Sequence, residues 1–155
     1  MGYLIFGLRL LLGGLLLVAG VLKAHDGPVL TASSIAGYRL LPPPVIAPLG
    51  VFLPYFEIFL GTYLVLGLFT RVAGIIASLQ FALFAGAVAT LVVRGIPADC
   101  GCLGSGVNTP PSWPHVASDL LLAALAALVA WRAPGFAALD RRLGANGPLE
   151  GQGEL

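Results

Sequence analysis

Cys100 and Cys102 are the only cysteines of this chain, and a single residue, Gly101, separates them. Two thiols that close can cycle between dithiol and disulfide, or hold a soft metal ion between two thiolates. A disulfide needs its α-carbons about 4.4–6.8 Å apart. An extended three-residue stretch exceeds or strains that limit, so the backbone must bend at the middle residue, and glycine bends most freely. The resulting bond is strained, and strained, exposed disulfides exchange readily with other thiols. Asp99 beside Cys100 disfavours its thiolate, so activation must come from elsewhere. Lys23, Arg94, His115 and the start of the following apolar run are the candidates. The pair lies in a polar stretch rich in Gly and Pro, residues 97–104, between two long apolar runs. That setting argues against two inert, buried thiols.

The rest of the chain reads as a device for placing that pair at a membrane surface. Its 155 residues are 58% hydrophobic and 10% charged, where a soluble domain carries about a quarter charged residues. Such a chain has no polar shell to wrap around a water-soluble core, and its length suits one domain. A net charge of +1 points to no nucleic-acid partner. Crossing a bilayer takes about 20 apolar residues, and four runs approach or reach that: 3–22, 48–69, 72–93 and 116–131. Backbone groups in lipid must satisfy one another, so the spans are helices. The expected fold is all-α, a polytopic four-helix transmembrane bundle over residues 1–132. A short amphipathic turn at 136–143 and a Gly-rich flexible tail complete residues 133–155. Leu22-Lys23-Ala24 is a poor cleavage site, so the first run is expected to stay in place as a span. Gly13, Gly14, Gly20, Gly61, Gly67, Gly74 and Gly86 supply the small residues that let helices approach in lipid. Pro54 is expected to kink the second span.

Only Thr70 and Arg71 separate the second and third runs, which predicts a tight antiparallel hairpin. The two longer connections then share the opposite face. The first holds Thr31-Ala32-Ser33-Ser34 ahead of Ile35, Tyr38 and Leu41, the pattern of a capped interfacial helix stopped by Pro42-Pro43-Pro44. The second holds the cysteines. Arg71, Arg132, Arg141 and Arg142 fall on the face of the two termini, against Lys23, Arg39 and Arg94 on the cysteine face. By the positive-inside rule the termini are cytoplasmic and the cysteine loop lies outside the cytoplasmic membrane.

Four ionisable groups lie in or at the edge of the spans: Arg9, Lys23, Glu57 and Asp119. Charges in lipid are costly and by default mark paired or functional sites. Estimated depth predicts a Glu57–Arg9 contact and a Lys23–Asp119 pair beneath the cysteines. Glu57, Lys23 and Asp119 are therefore grouped with Cys100 and Cys102 as the catalytic candidates. Arg9, Gly101, Asp99, Arg94 and His115 form the structural or tuning set. His25 and His115 share the cysteine face, but the cysteine spacing matches no common zinc motif, so no metal is expected. Tyr3, Tyr38, Trp113 and Trp131 read as interfacial anchors.

Arg9, Gly20, Lys23, Tyr38, Leu41-Pro42, Pro54 with Glu57, Gly61, Gly67, Arg71, Cys100-Gly101-Cys102-Leu103-Gly104, Trp113 and Asp119 resemble the MauE branch of the DoxX-like membrane proteins. The likeness covers about residues 3–131, and the Cys-Gly-Cys element is its most specific piece. Leu103 stands where that family has an aromatic residue, and Ser118 where an Arg is expected before the Asp of the last span. The resemblance implies a four-helix bundle tied to thiol redox chemistry outside the cytoplasmic membrane, with a thioredoxin-like extracytoplasmic partner. It is also similar in arrangement to the DsbB and vitamin K epoxide reductase bundles, which pass electrons from thiols to a quinone. Those bundles use a second cysteine pair, which this chain lacks.

These observations favour a membrane thiol–disulfide oxidoreductase that exchanges a Cys100–Cys102 disulfide with that partner and supports maturation of exported proteins, with a quinone as the candidate cofactor. A soft-metal (copper or mercury) carrier and a non-catalytic docking subunit are the alternatives. The single Met, Met1, offers no further soft ligand to a carrier.

Overall fold

The computed structural model describes residues 2–97 and 110–132. These form five helices and no strand: α1 (Gly2–Asp26), α2 (Pro28–Gly37), α3 (Pro43–Leu66), α4 (Thr70–Arg94) and α5 (Trp113–Arg132). All but α2 are long and apolar enough to cross a membrane. The expected all-helical, four-span architecture is therefore the observed one. The tail beyond residue 132 lies outside the described residues.

The boundaries differ from the sequence expectation, each for a local reason. α3 begins at Pro43, inside the proline run expected to lie before the span. Proline suits the first helical turn because its missing N–H has no partner to find there. The α3–α4 turn is made by residues 67–69, and Thr70 and Arg71 already belong to α4. Gly67 adopts the left-handed conformation (φ 68°). The Leu68 N–H then donates to the Tyr63 carbonyl at 3.0 Å, which closes the helix. The interfacial helix α2 starts at Pro28, directly after Gly27, not at a Thr/Ser cap. The Thr31 hydroxyl donates to the Gly27 carbonyl (3.2 Å), and those of Ser33 and Ser34 to the Leu30 carbonyl (2.7 and 3.1 Å). These side chains bond back along the chain and none caps the start of α2, while the Thr31 hydroxyl also lies 3.4 Å from the Lys23 carbonyl in the last turn of α1.

The spans pack as two antiparallel pairs, α1 on α3 and α4 on α5, while α3 and α4 touch little despite their short connection. Small residues explain the choice. A Cβ added to Gly13 would lie 2.8 Å from the Gly61 carbonyl oxygen, and one on Gly20 would lie 2.7 Å from that of Pro54. Gly74 is pressed in the same way against Ala126 and Ala130 of α5. Lipid supplies no hydrophobic force between helices, so close backbone approach is what holds them. Gly14 and Gly86 face open space and take no part. Leu12, Leu16, Leu64, Ala77, Ala126 and Val129 fill the centre, while Tyr3, Leu79, Leu83 and Trp131 face outward.

Candidate functional site

The α1–α3 register sets Gly13 beside Gly61 and Gly20 beside Pro54. Lys23 is three residues beyond Gly20 toward the α2 side, and Glu57 three residues beyond Pro54 in the opposite direction. A Cβ on Gly20 would also lie 2.9 Å from the Ile58 nitrogen, so Gly20 sits between Pro54 and Ile58 and the Lys23 and Glu57 backbones are offset by roughly 6 Å at about 1.5 Å per residue. Helical side chains lean toward the N-terminus of their own helix. In an antiparallel pair with this offset, Lys23 and Glu57 lean toward each other. The Lys23 ammonium donates to both Glu57 oxygens at 2.8 Å, and both side chains are buried. Gln80 of α4 adds an amide donor to Glu57 Oε1 at 3.1 Å, and Lys23 Nζ lies 5.6 Å from the centre of the Phe84 ring.

This arrangement corrects both expected pairings. Arg9 does not meet Glu57. It lies on the far side of Gly13 and leans away, and its guanidinium donates to the carbonyls of Leu64 (3.1 Å) and Val65 (3.2 Å). Those carbonyls belong to the last turn of α3, where backbone acceptors are under-supplied with donors and a cation is favoured. Lys23 does not meet Asp119 either, because α1 packs on α3 and Lys23 is held by Glu57.

Asp119 is instead buried near the start of α5, within electrostatic reach of His115 one turn earlier and of Tyr38. Among the described residues its Oδ2 has no hydrogen-bond partner. Burial, and secondarily the negative charge of Asp119, push the Tyr38 phenol up to about 12, so it stays protonated. The guanidinium of Arg94, at the end of α4, donates to the Tyr38 carbonyl at 3.2 Å. Arg94, His115, Tyr38 and Asp119 thus gather where the connection between α4 and α5 leaves and returns. Asp99, Cys100, Gly101 and Cys102 belong to that connection and lie outside the described residues.

Two participants escape the sequence reading. Gln80 has a signal, as the lone amide in an otherwise uncharged span. Tyr38 reads as one interfacial anchor among several, and only the fold sets it beside Asp119.

Together these features define a class: a polytopic helical membrane protein with a hydrogen-bonded ion pair buried in one half of its bundle and a polar cluster at that end. The family model described as "Methylamine utilisation protein MauE" matches residues 1–132, and the chain belongs to that family. Among curated proteins, "Methylamine utilization protein MauE" of Paracoccus denitrificans is 32% identical over 118 residues, covering 76% of this chain. The chain spans 63% of that relative's length. No solved structure matches the chain.

Proposed function

We propose that this protein is a membrane thiol–disulfide oxidoreductase whose Cys100–Cys102 pair oxidises an extracytoplasmic thioredoxin-like partner. The observation that carries the reading is the pair itself: the only two cysteines, one glycine apart, in the connection between α4 and α5. A partner thiolate attacks one sulfur of the disulfide, breaking it and forming a mixed disulfide. The partner's second thiolate resolves that bond, leaving the partner oxidised and Cys100 and Cys102 reduced by two electrons and two protons. A lipid-soluble quinone, where bound, would supply the two-electron, two-proton oxidant that restores the disulfide. Asp119, with one carboxylate oxygen unpartnered among the described residues, is the group assigned to proton movement. Lys23 and Glu57 hold the α1–α3 frame beneath it. By analogy with the relative's name, the exported protein that benefits belongs to methylamine utilisation.

The reading places the termini in the cytoplasm of a cell's inner membrane. Lys23, buried and paired, drops out of the loop-charge count, which then stands at Arg71, Arg132, Arg141 and Arg142 against Arg39 and Arg94. That widens the positive-inside bias.

Thiol trapping in acid-quenched cells tests the reading. The cysteines are expected to resist a mass-tagged maleimide until reduced, and to appear partly crosslinked to a second protein. Immediate tagging of both thiols in untreated cells, or continued partner oxidation by Cys100→Ser/Cys102→Ser protein, would overturn it.

A further inference from the structure

A cavity of about 640 Å³ lies in the α2-side half of the bundle, where α3 and α4 stand apart. Its size is within the range of small-molecule sites, about 300–1,000 Å³. Leu49 and Leu53 of α3 face Leu83 and Ala87 of α4 across it, and α2 forms its roof. Leu83 lines the cavity and is also 73% exposed on the outer surface. One wall therefore opens toward the space that lipid fills, and an apolar molecule can enter sideways from the bilayer.

The polar lining identifies what kind of head group fits. Lys23 lines the cavity, but its charge is neutralised by both oxygens of Glu57. Asp26, also in the lining, is itself a carboxylate and does not attract an anionic head. The hydroxyl groups of Thr31, Ser34 and Thr90 line the cavity as well. Each donates its proton to a main-chain carbonyl: Thr31 to Gly27, Ser34 to Leu30 and Thr90 to Ala87. A hydroxyl that has donated still accepts, through the lone pairs of its oxygen. Together with the Tyr38 phenol, which also lines the cavity, these oxygens suit a ligand hydroxyl, a group that both donates and accepts.

We infer that this cavity binds an uncharged, lipid-soluble molecule headed by hydroxyl groups, its head against Thr31, Ser34 and Thr90 and its tail along Leu49, Leu53 and Leu83. Two sources share that chemistry, a ring-hydroxyl compound of the quinol class and an aliphatic lipid alcohol. Neither requires the cysteines, so the site stands or falls apart from the thiol chemistry.

The position of Gly86 provides the test. It lines the cavity, and a Cβ added there meets no atom within 4 Å, so a larger side chain starts into open space rather than against a neighbouring backbone. Gly7 on α1 is equally open but lies outside the cavity lining, which makes Gly7→Phe the control. Full-length protein in lipid nanodiscs is titrated with three probes: decyl-tailed benzoquinol, decanol and decylbenzene. Saturable binding of a hydroxyl-bearing probe is expected, with decylbenzene and the Gly86→Phe protein each at least about tenfold weaker and Gly7→Phe unchanged. The stronger of the first two probes names the source. Equal binding of decylbenzene would mean that the cavity takes any alkyl tail, and would overturn the inference. No binding by the wild-type protein, or undiminished binding by Gly86→Phe, would do the same. Repeating the titration on Cys100→Ser/Cys102→Ser protein separates the two proposals, since binding there is expected to persist even where partner oxidation is lost.

Discussion

The two halves of the bundle each bury a cation, and they satisfy it in opposite ways. Near the termini, Arg9 is completely enclosed and among the described residues donates to neutral acceptors at the end of α3, the Val65 carbonyl and the Leu64 carbonyl, which it shares with the Gly67 N–H. Near α2, Lys23 meets a full carboxylate, shared with Gln80, and borders a cavity. The first arrangement closes a helix end with a planar fork of donors, a task suited to arginine. The second neutralises two charges that would each be costly alone, and leaves space beside them. A charged residue in a span is thus not a functional signal by itself. What it touches, and whether there is room next to it, separates a closed helix cap from a pair that borders a candidate site.

The largest effect is expected from breaking the charged pair. Glu57→Ala leaves the Lys23 ammonium buried without its counter-ion, and removing one partner of a buried pair costs about 3–5 kcal/mol. Unfolding in mixed micelles should show that loss. The double replacement Lys23→Met/Glu57→Met should recover most of it, since removing both charges leaves neither exposed to lipid. A double variant as unstable as the single one would show that the pair does more than neutralise itself.

The contrasting cation should respond differently. Arg9→Met removes charge-assisted bonds to main-chain carbonyls, so the expected cost is smaller, about 1.5–3 kcal/mol. The Gly67 N–H still reaches the Leu64 carbonyl at 3.3 Å, which softens the loss. If partner oxidation by Arg9→Met protein, measured at a temperature where it stays folded, fell as far as in the Glu57 variant, the division between cap and site would fail.

The smallest of the three effects tests the frame that brings Lys23 to Glu57. Gly20→Ala places a methyl group 2.7 Å from the Pro54 carbonyl oxygen and 2.8 Å from the Ile58 side chain. The α1–α3 pair must shift, at a cost of about 1–3 kcal/mol as in other overpacked contacts. Gly14→Ala, which meets nothing within 4 Å, should be neutral in the same unfolding assay. Equal effects at the two glycines would mean that close approach at Gly20 does not set the register.

Much of the architecture is legible in the chain because lipid leaves few choices. Four long apolar runs must become helices, since no water is present to satisfy their backbone. The residues that resemble the family, Cys100-Gly101-Cys102 among them, are equally visible, and the family model matches residues 1–132. Helix ends are less legible, because Pro43 and Pro28 start helices at positions where composition alone suggests a stop or a loop.

The amino-acid sequence by itself determined that this is a four-span helical membrane protein, that Arg9, Lys23, Glu57 and Asp119 are its costly intramembrane or edge charges, and that two cysteines stand one glycine apart. Only the tertiary structure decided which charges meet. Depth along a helix narrows the candidates, but partner choice depends on which helices pair, their register and the direction each side chain leans. Gly13, Gly20 and Gly61 bring α1 onto α3, and that contact gives Glu57 to Lys23 and the end of α3 to Arg9. The same pairing leaves α3 and α4 apart, which is why a cavity lies between them.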